Sequence, residues 1–375
     1  MLSNRVLVAM SGGVDSSVAA ALLVERGYDV VGATMKLFSD GKDLPDRPCC
    51  SLDSVNDARR VCERLGVPHY VLNLEDRFGR DVVDDFVAEY VAGRTPIPCV
   101  RCNTFTKFRD LLRTADSIDA QWIATGHYAR VDNGVLMRGR DEQKDQTYFM
   151  WGIDRRVLQR MLLPVGDMTK PETRAVATRH GLTMVAHKPD SQEICFVPDG
   201  DYARIIMERA GADSPALARG PVVTTDGRVV GEHDGYARYT VGQRRGVPGG
   251  FSEPMYVTEL RPSERAVVIG TRDDLLGRGV VAAGVNWLIG STPELGARVQ
   301  VRIRHRAPLA DGEIVRLDGD EVEIALNEPV LAISPGQSLV MYDGKRVLGG
   351  GLIETATTGG LTRGRHRELP VLVRA

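Results

Sequence analysis

The start of the chain constrains the fold more than any other segment. An apolar run, Val6–Met10, leads directly into the hexapeptide Ser11–Ser16, which reads Ser-Gly-Gly-Val-Asp-Ser. A helical pattern, Ser16–Arg26, follows and ends at Gly27. Glycines let a backbone approach a phosphate closely, and the N–H groups at the start of a helix point toward an anion. The sequence therefore predicts a buried strand, a phosphate-binding loop and a helix, which is the first unit of a parallel sheet covered by helices.

Apolar runs and helical patterns continue to alternate beyond this loop. The predicted elements are the buried strands Val30–Met35, Tyr70–Leu74 and Trp122–Thr125, the helix Val55–Leu65 with Asp53 as its cap, the hairpin turn at Asn133 and Gly134, and the helix ending at His180 after the capping box of Thr169 and Glu172. We expect residues 1–203 to form one α/β catalytic domain with a parallel sheet.

The sequence pattern changes after about Asp199. A short helical stretch, Tyr202–Ala210, precedes brief alternating runs punctuated by Gly and Pro, as in small β-sheets and barrels. These runs are Pro221–Thr225, Tyr256–Leu260, Ala266–Ile269, Val299–Arg304, Ile314–Leu317, Glu321–Leu326 and Ser338–Tyr342. The pattern predicts a small β-rich central module over residues 204–278 and a C-terminal β-barrel over residues 279–375.

Composition excludes several protein classes. The chain has 375 residues, of which 43% are hydrophobic and 26% charged, which is ordinary for a globular protein and excludes disorder, collagen and coiled coil. A net charge of −2 argues against a basic nucleic-acid coat. Six cysteines are too few for a disulfide scaffold, and no apolar stretch approaches the length of a membrane span. We therefore expect a cytoplasmic protein with reduced thiols.

The hexapeptide resembles the pyrophosphate loop of the ATP pyrophosphatases, which cleave ATP between the α and β phosphates and adenylate an oxygen of their substrate. The lysine of a Walker loop is missing, so this phosphate-binding loop is of a different type. The resemblance implies an ATP site, with Mg²⁺ expected. Its residues would be Ala9, Met10, Ser11, Gly12, Gly13, Val14, Asp15, Ser16, Met35 and Gly126. Met35 taken alone fits a core position better than a nucleotide contact.

Three cysteines form the second candidate site. Cys99 and Cys102 make a CxxC pair, and Cys195 lies far along the chain. A CxxC pair alone indicates a redox pair, half of a metal site or coincidence. The sequence has no second CxxC pair, but the scattered Cys49, Cys50 and Cys62 remain possible metal ligands. The neighbouring cations Arg94, Arg101 and Lys107 would favour thiolates.

The loop and the cysteines together resemble the tRNA-specific 2-thiouridylases. The resemblance covers nearly the whole chain. Besides the loop, it rests on Thr95–Asn103, Thr125–Arg130, Lys144–Phe149, Ile194–Phe196, Val241–Arg244, Pro335–Gln337 and Gly349–Gly351. It implies that ATP adenylates O2 of the wobble uridine of tRNA and that sulfur replaces this oxygen, giving 2-thiouridine, AMP and pyrophosphate.

The same resemblance assigns roles to the cysteines. Cys195 would carry sulfur as a persulfide, and Cys102 would act as the nucleophile or resolving thiol, so that the two sulfur atoms come within disulfide distance during turnover. A cysteine desulfurase or a sulfur-relay protein is implied as the donor. Cys99 stands where many relatives have Asp, and a third cysteine leaves a rival hypothesis open. Cys99, Cys102 and Cys195 could instead hold a [4Fe–4S] cluster.

The tRNA contacts that the resemblance implies lie in both halves of the chain. They are His127, Lys144, Asp145, Gln146, Arg304, His305 and Gln337. His127 could instead be a structural histidine. Arg298, Arg302, Arg304 and Arg306 recur at alternate positions of a predicted strand, which would put them on one face. We favour phosphate contact for this row over a solvated edge.

Two other functions use similar residues. One is a small-molecule ligase or amidotransferase with the same loop, which would leave Cys102, Cys195 and the β modules unexplained. The other is a non-catalytic RNA-binding protein with a relic loop, against which the intact Asp15 and Ser16 argue.

Overall fold

The computed structural model describes residues 4–38, 52–189 and 194–357. The helices are α1 (Val14–Glu25), α2 (Leu52–Leu65), α3 (Glu75–Phe78), α4 (Asp84–Val91), α5 (Pro98–Arg101), α6 (Phe108–Ser117), α7 (Arg155–Leu158), α8 (Lys170–Arg179), α9 (Thr183–Ala186) and α10 (Tyr202–Ala210). The strands are β1 (Arg5–Ala9), β2 (Asp29–Lys36), β3 (His69–Asn73), β4 (Trp122–Ala124), β5 (Ala129–Asp132), β6 (Val135–Arg138), β7 (Met161–Leu162), β8 (Arg219–Thr224), β9 (Val229–Asp234), β10 (Tyr256–Arg261), β11 (Ala266–Gly270), β12 (Leu276–Trp287), β13 (Arg298–Arg302), β14 (Ala310–Asp318), β15 (Glu321–Leu331), β16 (Ser338–Asp343) and β17 (Arg346–Thr357).

The chain divides into two compact units. Unit one contains the residues up to Val83, Pro98–Gly200 and Lys345–Val347. Unit two contains Asp84–Ile97, Asp201–Gly344 and the residues from Leu348 onward. Within the described ranges, no helix combines the length and the apolar character that crossing a membrane requires.

Unit one is built on a parallel sheet, as the sequence predicts. The strand order is β3-β2-β1-β4-β7, and β1 pairs in parallel with both β2 and β4. Its core contains the inner side chains of β1, such as Val6 and Val8, and most of α1. The run Val18–Leu23 of α1 is buried and contains three alanines, whose small side chains allow the helix to lie close to the sheet. The predicted strands and α1 are confirmed within two residues at each end.

Two details of unit one differ from the sequence prediction. Tyr70–Leu74 was expected to be a buried strand, but β3 is the edge of the sheet, and Tyr70 is 58% exposed. An apolar run alone does not distinguish an edge strand from a central one. Asp53 was expected to cap α2, but it lies inside the first turn of that helix. An acidic residue there still interacts favourably with the helix dipole.

The predicted hairpin and capping box are both present in unit one. Asn133 and Gly134 have φ angles of 49° and 76° and join β5 to β6, as a two-residue turn with two positive φ values requires. At the start of α8, the Thr169 side chain accepts from the Glu172 backbone and the Glu172 side chain accepts from the Thr169 backbone. Both features depend on neighbouring residues only, which explains why the sequence predicts them.

Unit two combines two helices with two β-structures. Tyr202 of α10 packs against Phe86 and Tyr90 of α4, with ring centroids 5.8 and 5.7 Å away. A four-stranded sheet with the order β10-β11-β8-β9 forms the central module. The strands β12-β15-β14-β13-β16-β17 then form a six-stranded barrel, which the pairing of β12 with β17 closes. Apolar side chains from these strands fill the barrel, as expected for a barrel of this size.

The sequence prediction missed three strands of unit two and made a fourth too long. The missed strands are β9, β12 and β17, and glycines interrupt the apolar pattern of the last two. The run Val299–Arg304 was predicted as one strand, but β13 ends at Arg302. Arg304 and Arg306 therefore do not extend a strand face with Arg298, and the predicted row of arginines is not formed.

Candidate functional site

The loop Ser11–Ser16 has the geometry of an anion site. Gly13 is the N-cap of α1 and has no side chain to occupy the N–H groups at the helix start. The Ser16 hydroxyl accepts from the Ser11 backbone N–H and donates to the Gly13 carbonyl, both at 3.2 Å. Ser16 is buried and Ser11 is exposed. Ser16 therefore closes the loop from inside, whereas Ser11 lies at the surface and Gly13 at the helix start is half-exposed.

Glycine is required at two positions of this site by close backbone contacts. Gly12 has a φ of +71°, and a Cβ there would lie 2.2 Å from the Ser54 carbonyl oxygen on α2. A Cβ on Gly126 would lie 2.5 Å from both the Asp15 carbonyl carbon and the Ser16 nitrogen. Gly126 thus packs directly on the backbone of the loop. The sequence placed Gly126 in the site through resemblance, and the structure supplies a packing reason for glycine there.

The other predicted nucleotide residues surround the end of β1. Ala9 pairs with Ala33 of β2, and the Met10 N–H donates to the Ala33 carbonyl at 2.8 Å. Met10 and Met35 are buried, so both contribute to the core beneath the loop. The loop therefore rests on a rigid pair of strands, as preorganised ligand sites do.

Asp15 is held by residues that sequence reasoning did not identify. The Lys170 Nζ lies 2.9 Å from both carboxylate oxygens, and the Tyr128 hydroxyl donates to Oδ1 at 3.0 Å. The Tyr128 hydroxyl also lies 2.9 Å from the Thr173 hydroxyl on α8. The carboxylate of Asp15 is thus engaged by protein donors on both oxygens.

A second lysine also reaches the loop. Lys188 Nζ donates to the Gly12 carbonyl at 3.2 Å and forms an ion pair with Asp57 of α2. Lysine is rare here, with seven in the chain, and two of the seven contact this loop. That rarity is the signal that could have identified Lys170 and Lys188 from the sequence.

The three candidate cysteines have different environments in unit one. Cys102 is buried where α5 meets a π-helical turn, Cys102–Lys107, and Cys99 is exposed on α5. The next residue, Asn103, is buried and donates to the Phe149 carbonyl at 3.0 Å. Cys195 is half-buried on a turn, next to Phe196, whose ring packs edge-on against Phe78 at 5.6 Å.

The remaining cysteines do not complete a metal site in the described structure. Burial and then the charge of Glu63 raise the pKa of Cys62 to about 11, which keeps it a thiol. Cys49 and Cys50 lie outside the described residues. Over residues 4–38, 52–189 and 194–357, no three His, Cys, Asp or Glu side chains are placed to hold a metal ion.

His127 lies in a neutral form beside the nucleotide loop. Burial and then the charge of Lys107 lower the pKa of His127 to about 3. Its Nδ1 is 2.7 Å from the Thr125 hydroxyl, and its ring packs against Phe108 at 5.6 Å. The imidazole is therefore uncharged at neutral pH, and a contact with RNA would be through hydrogen bonding or stacking.

The segment containing Lys144, Asp145 and Gln146 is anchored by two of these three side chains. Asp145 is buried and accepts from the backbone N–H groups of Gly139 and Thr147, both at 3.2 Å. Gln146 accepts from the Tyr128 N–H at 2.8 Å through its side chain. Both side chains thus organise the backbone around Lys144, which is half-buried.

The predicted tRNA residues of unit two also have structural partners. Arg304 donates to the Val241 carbonyl at 2.6 Å and to the Ser334 hydroxyl. Gln337 donates to the carbonyls of Thr95 and Pro96 at 3.1 and 3.3 Å. His305 is half-exposed beside Arg304. Arg304 and Gln337 therefore hold loops together within this unit.

Two other arginines of unit two are committed to internal contacts. Arg302 is buried, with its guanidinium 5.7 Å from the ring centroid of Tyr342. Arg94 was expected to favour thiolates, but it forms ion pairs with Glu89 and Glu354, each at 2.7 Å. Its charge is balanced by these two carboxylates.

Family models match three consecutive parts of the chain. One described as the tRNA methyl transferase HUP domain matches residues 4–199. One described as the tRNA methyl transferase PRC-barrel domain matches residues 213–271, and one described as the Aminomethyltransferase beta-barrel domain matches residues 278–353. These parts correspond to the parallel sheet, the central module and the barrel.

Full-length relatives give a more specific result. The tRNA-specific 2-thiouridylase MnmA of Koribacter versatilis is 48% identical over 368 residues, which cover 94% of this chain and 99% of that protein. Those of Geobacter metallireducens and Solibacter usitatus are 46% and 47% identical, covering 95% and 94% of this chain and 98% and 100% of theirs. With this identity over almost its whole length, the chain belongs to the tRNA-specific 2-thiouridylase family.

Proposed function

We propose that this thiouridylase adenylates O2 of the wobble uridine of tRNA with ATP and then replaces that oxygen with sulfur. The products are 2-thiouridine, AMP and pyrophosphate. The observation that carries the proposal is the half-exposed helix start at Gly13, backed by Gly126 and held by Lys170 and Lys188. The match to the HUP domain over residues 4–199 supports the use of ATP by this part of the chain.

Activation by ATP must precede substitution because the oxygen on uracil C2 is a poor leaving group. Adenylation makes it part of AMP, which leaves readily. The loop Ser11–Ser16 offers backbone N–H groups and the Ser11 hydroxyl to the departing pyrophosphate. Mg²⁺, when bound with ATP, would neutralise part of the phosphate charge.

Sulfur transfer is assigned to Cys195 and Cys102. The terminal sulfur of a persulfide on Cys195 attacks C2, and AMP leaves with the former O2. The Cys102 thiolate then attacks the Sγ of Cys195, which releases 2-thiouridine and leaves a disulfide between the two cysteines. An external thiol must reduce this disulfide before the next cycle. The half-buried turn position of Cys195 leaves part of its surface open to loading by a desulfurase or relay protein.

The target base must leave the anticodon stack to reach these cysteines. His127, Lys144 and His305 are proposed to contact tRNA directly, and each is partly exposed. Arg304 and Gln337 would contribute mainly by fixing loops, and Asp145 and Gln146 by fixing the backbone around Lys144.

The matched segments support domain boundaries at residues 1–203, 204–278 and 279–375.

The experiment is mass spectrometry of wobble-uridine tRNA after incubation with the protein, ATP and a persulfide source. We expect Cys195→Ala to abolish 2-thiouridine formation while tRNA binding persists, because the carrier of sulfur is lost. Cys62→Ala is the matched control, since the Cys62 thiol is buried and its pKa is raised to about 11. Retained thiolation by Cys195→Ala would refute the assignment.

Two further measurements separate the alternatives. Iron and sulfide analysis of anaerobically purified protein tests the cluster hypothesis, and an iron-free active enzyme would exclude it. ATP–pyrophosphate exchange in the presence of wobble-uridine tRNA tests catalysis, and its absence would favour a binding protein with a relic loop.

A further inference from the structure

Lys188 is positioned against the nucleotide loop by contacts on both sides. Its ammonium donates to the Gly12 carbonyl at 3.2 Å and pairs with Asp57 on α2. Its own carbonyl accepts from Arg174 of α8 at 3.0 Å, and its N–H donates to the Val185 carbonyl at 3.2 Å. The side chain is only 32% exposed. Lys188 is therefore a fixed part of the loop's surroundings.

The charge around Lys188 favours an anion. Asp57 is shared between Lys188 and Arg60, whose guanidinium lies 3.5 Å from the carboxylate. Two cations therefore share the carboxylate of Asp57. At the other side of the loop, by contrast, Lys170 pairs with the carboxylate of Asp15.

The chemistry of an ammonium group allows one more contact there. Lysine carries three N–H donors. Two are accounted for by the Gly12 carbonyl and the Asp57 carboxylate. The third can reach a phosphate oxygen held by the same loop, in the way that the lysine inside a Walker loop reaches phosphates. The loop Ser11–Ser16 itself contains no lysine.

We propose that Lys188 binds the pyrophosphate part of ATP and holds it as it leaves. This inference rests on the proposed function of the loop and adds a binding residue supplied from 176 positions along the chain. Asp57 is then a positioning residue, because it orients the ammonium without touching the phosphate itself.

The test compares three ligands, namely ATP, inorganic pyrophosphate and AMP, by calorimetry on the full-length protein with Mg²⁺. We expect Lys188→Met to weaken ATP and pyrophosphate binding about ten- to a hundredfold, the loss typical of one charge-assisted hydrogen bond, and to leave AMP binding unchanged. Lys188→Arg keeps the charge and should restore part of the affinity. Lys345→Met is the matched control, because Lys345 is exposed on a turn away from the loop.

The outcomes separate binding from mere support of the loop. Equal losses for ATP and AMP in Lys188→Met would overturn the proposal, because they would show only a distorted loop. Unchanged ATP and pyrophosphate binding would also overturn it. A wild-type protein that binds both ligands but forms no 2-thiouridine would contradict the proposed function alone. A wild-type protein that binds neither ATP nor pyrophosphate would contradict both the proposed function and the role of Lys188.

Discussion

The nucleotide loop and the arginine-rich segment Arg298–Arg306 were both predicted to contact phosphates, and only the loop has the predicted geometry. The loop lies between β1 and α1, with Gly13 at its helix start half-exposed. In the arginine-rich segment, β13 ends at Arg302, which is buried, and Arg304 bonds the Val241 carbonyl. The local structure around the loop was thus predicted more reliably than the strand that carries the arginines.

The physical reason is how far apart in sequence the residues that determine each feature lie. The loop's conformation follows from a strand, two glycines and a helix that are consecutive in sequence. An arginine side chain can reach several partners, and the fold decides which of them is closest. Arg304 finds acceptors 63 and 30 residues away in sequence, which no local pattern indicates.

The largest effect is expected for Gly126→Ala, which tests whether the loop depends on this packing contact. The added Cβ would lie 2.5 Å from two backbone atoms of the loop, which cannot move aside like a flexible side chain. We expect a loss of about 3 kcal/mol in the free energy of unfolding and weaker ATP binding. Gly249→Ala is the control, because a Cβ there meets nothing within 4 Å. Equal stability of the two variants by denaturant titration would contradict this packing role.

A smaller effect is expected for Arg304→Ala, compared with Arg306→Ala. Arg304 supplies two internal hydrogen bonds, and its loss should cost about 2 kcal/mol, whereas Arg306 is exposed and its loss should leave stability unchanged. Binding of tRNA over a range of salt concentrations gives the second readout. If Arg306→Ala lowers the salt dependence and Arg304→Ala does not, the phosphate contact belongs to Arg306. Equal stability of both variants would show that the internal bonds of Arg304 contribute little.

The smallest effect near neutral pH concerns the pH dependence of stability through His127. Because the pKa of His127 falls to about 3 in the folded protein, the unfolded chain binds a proton more readily below its ordinary pKa of about 6.5. Stability should therefore be constant with respect to His127 above pH 6.5. It should fall by up to about 1.4 kcal/mol per pH unit as the pH drops from there toward 3.

His127→Gln should reduce this slope between pH 6.5 and 5, as measured by denaturant titration at each pH. Some slope will remain, because desolvation also lowers the pKa values of His69 and His233. An unchanged slope in the variant would show that His127 is not neutral in the folded protein.

The sequence by itself determined the parallel sheet, the loop, the hairpin at Asn133 and Gly134 and the capping box of Thr169, because each depends on a few consecutive residues. It also identified the family through motifs spread along the chain. The residues that surround the loop were decided only by the tertiary structure. Lys170 and Lys188 meet it from 155 and 176 positions away, and packing alone determines such distant contacts. For the same reason, Arg302 and Arg304, which were expected on one strand face, make internal contacts in unit two.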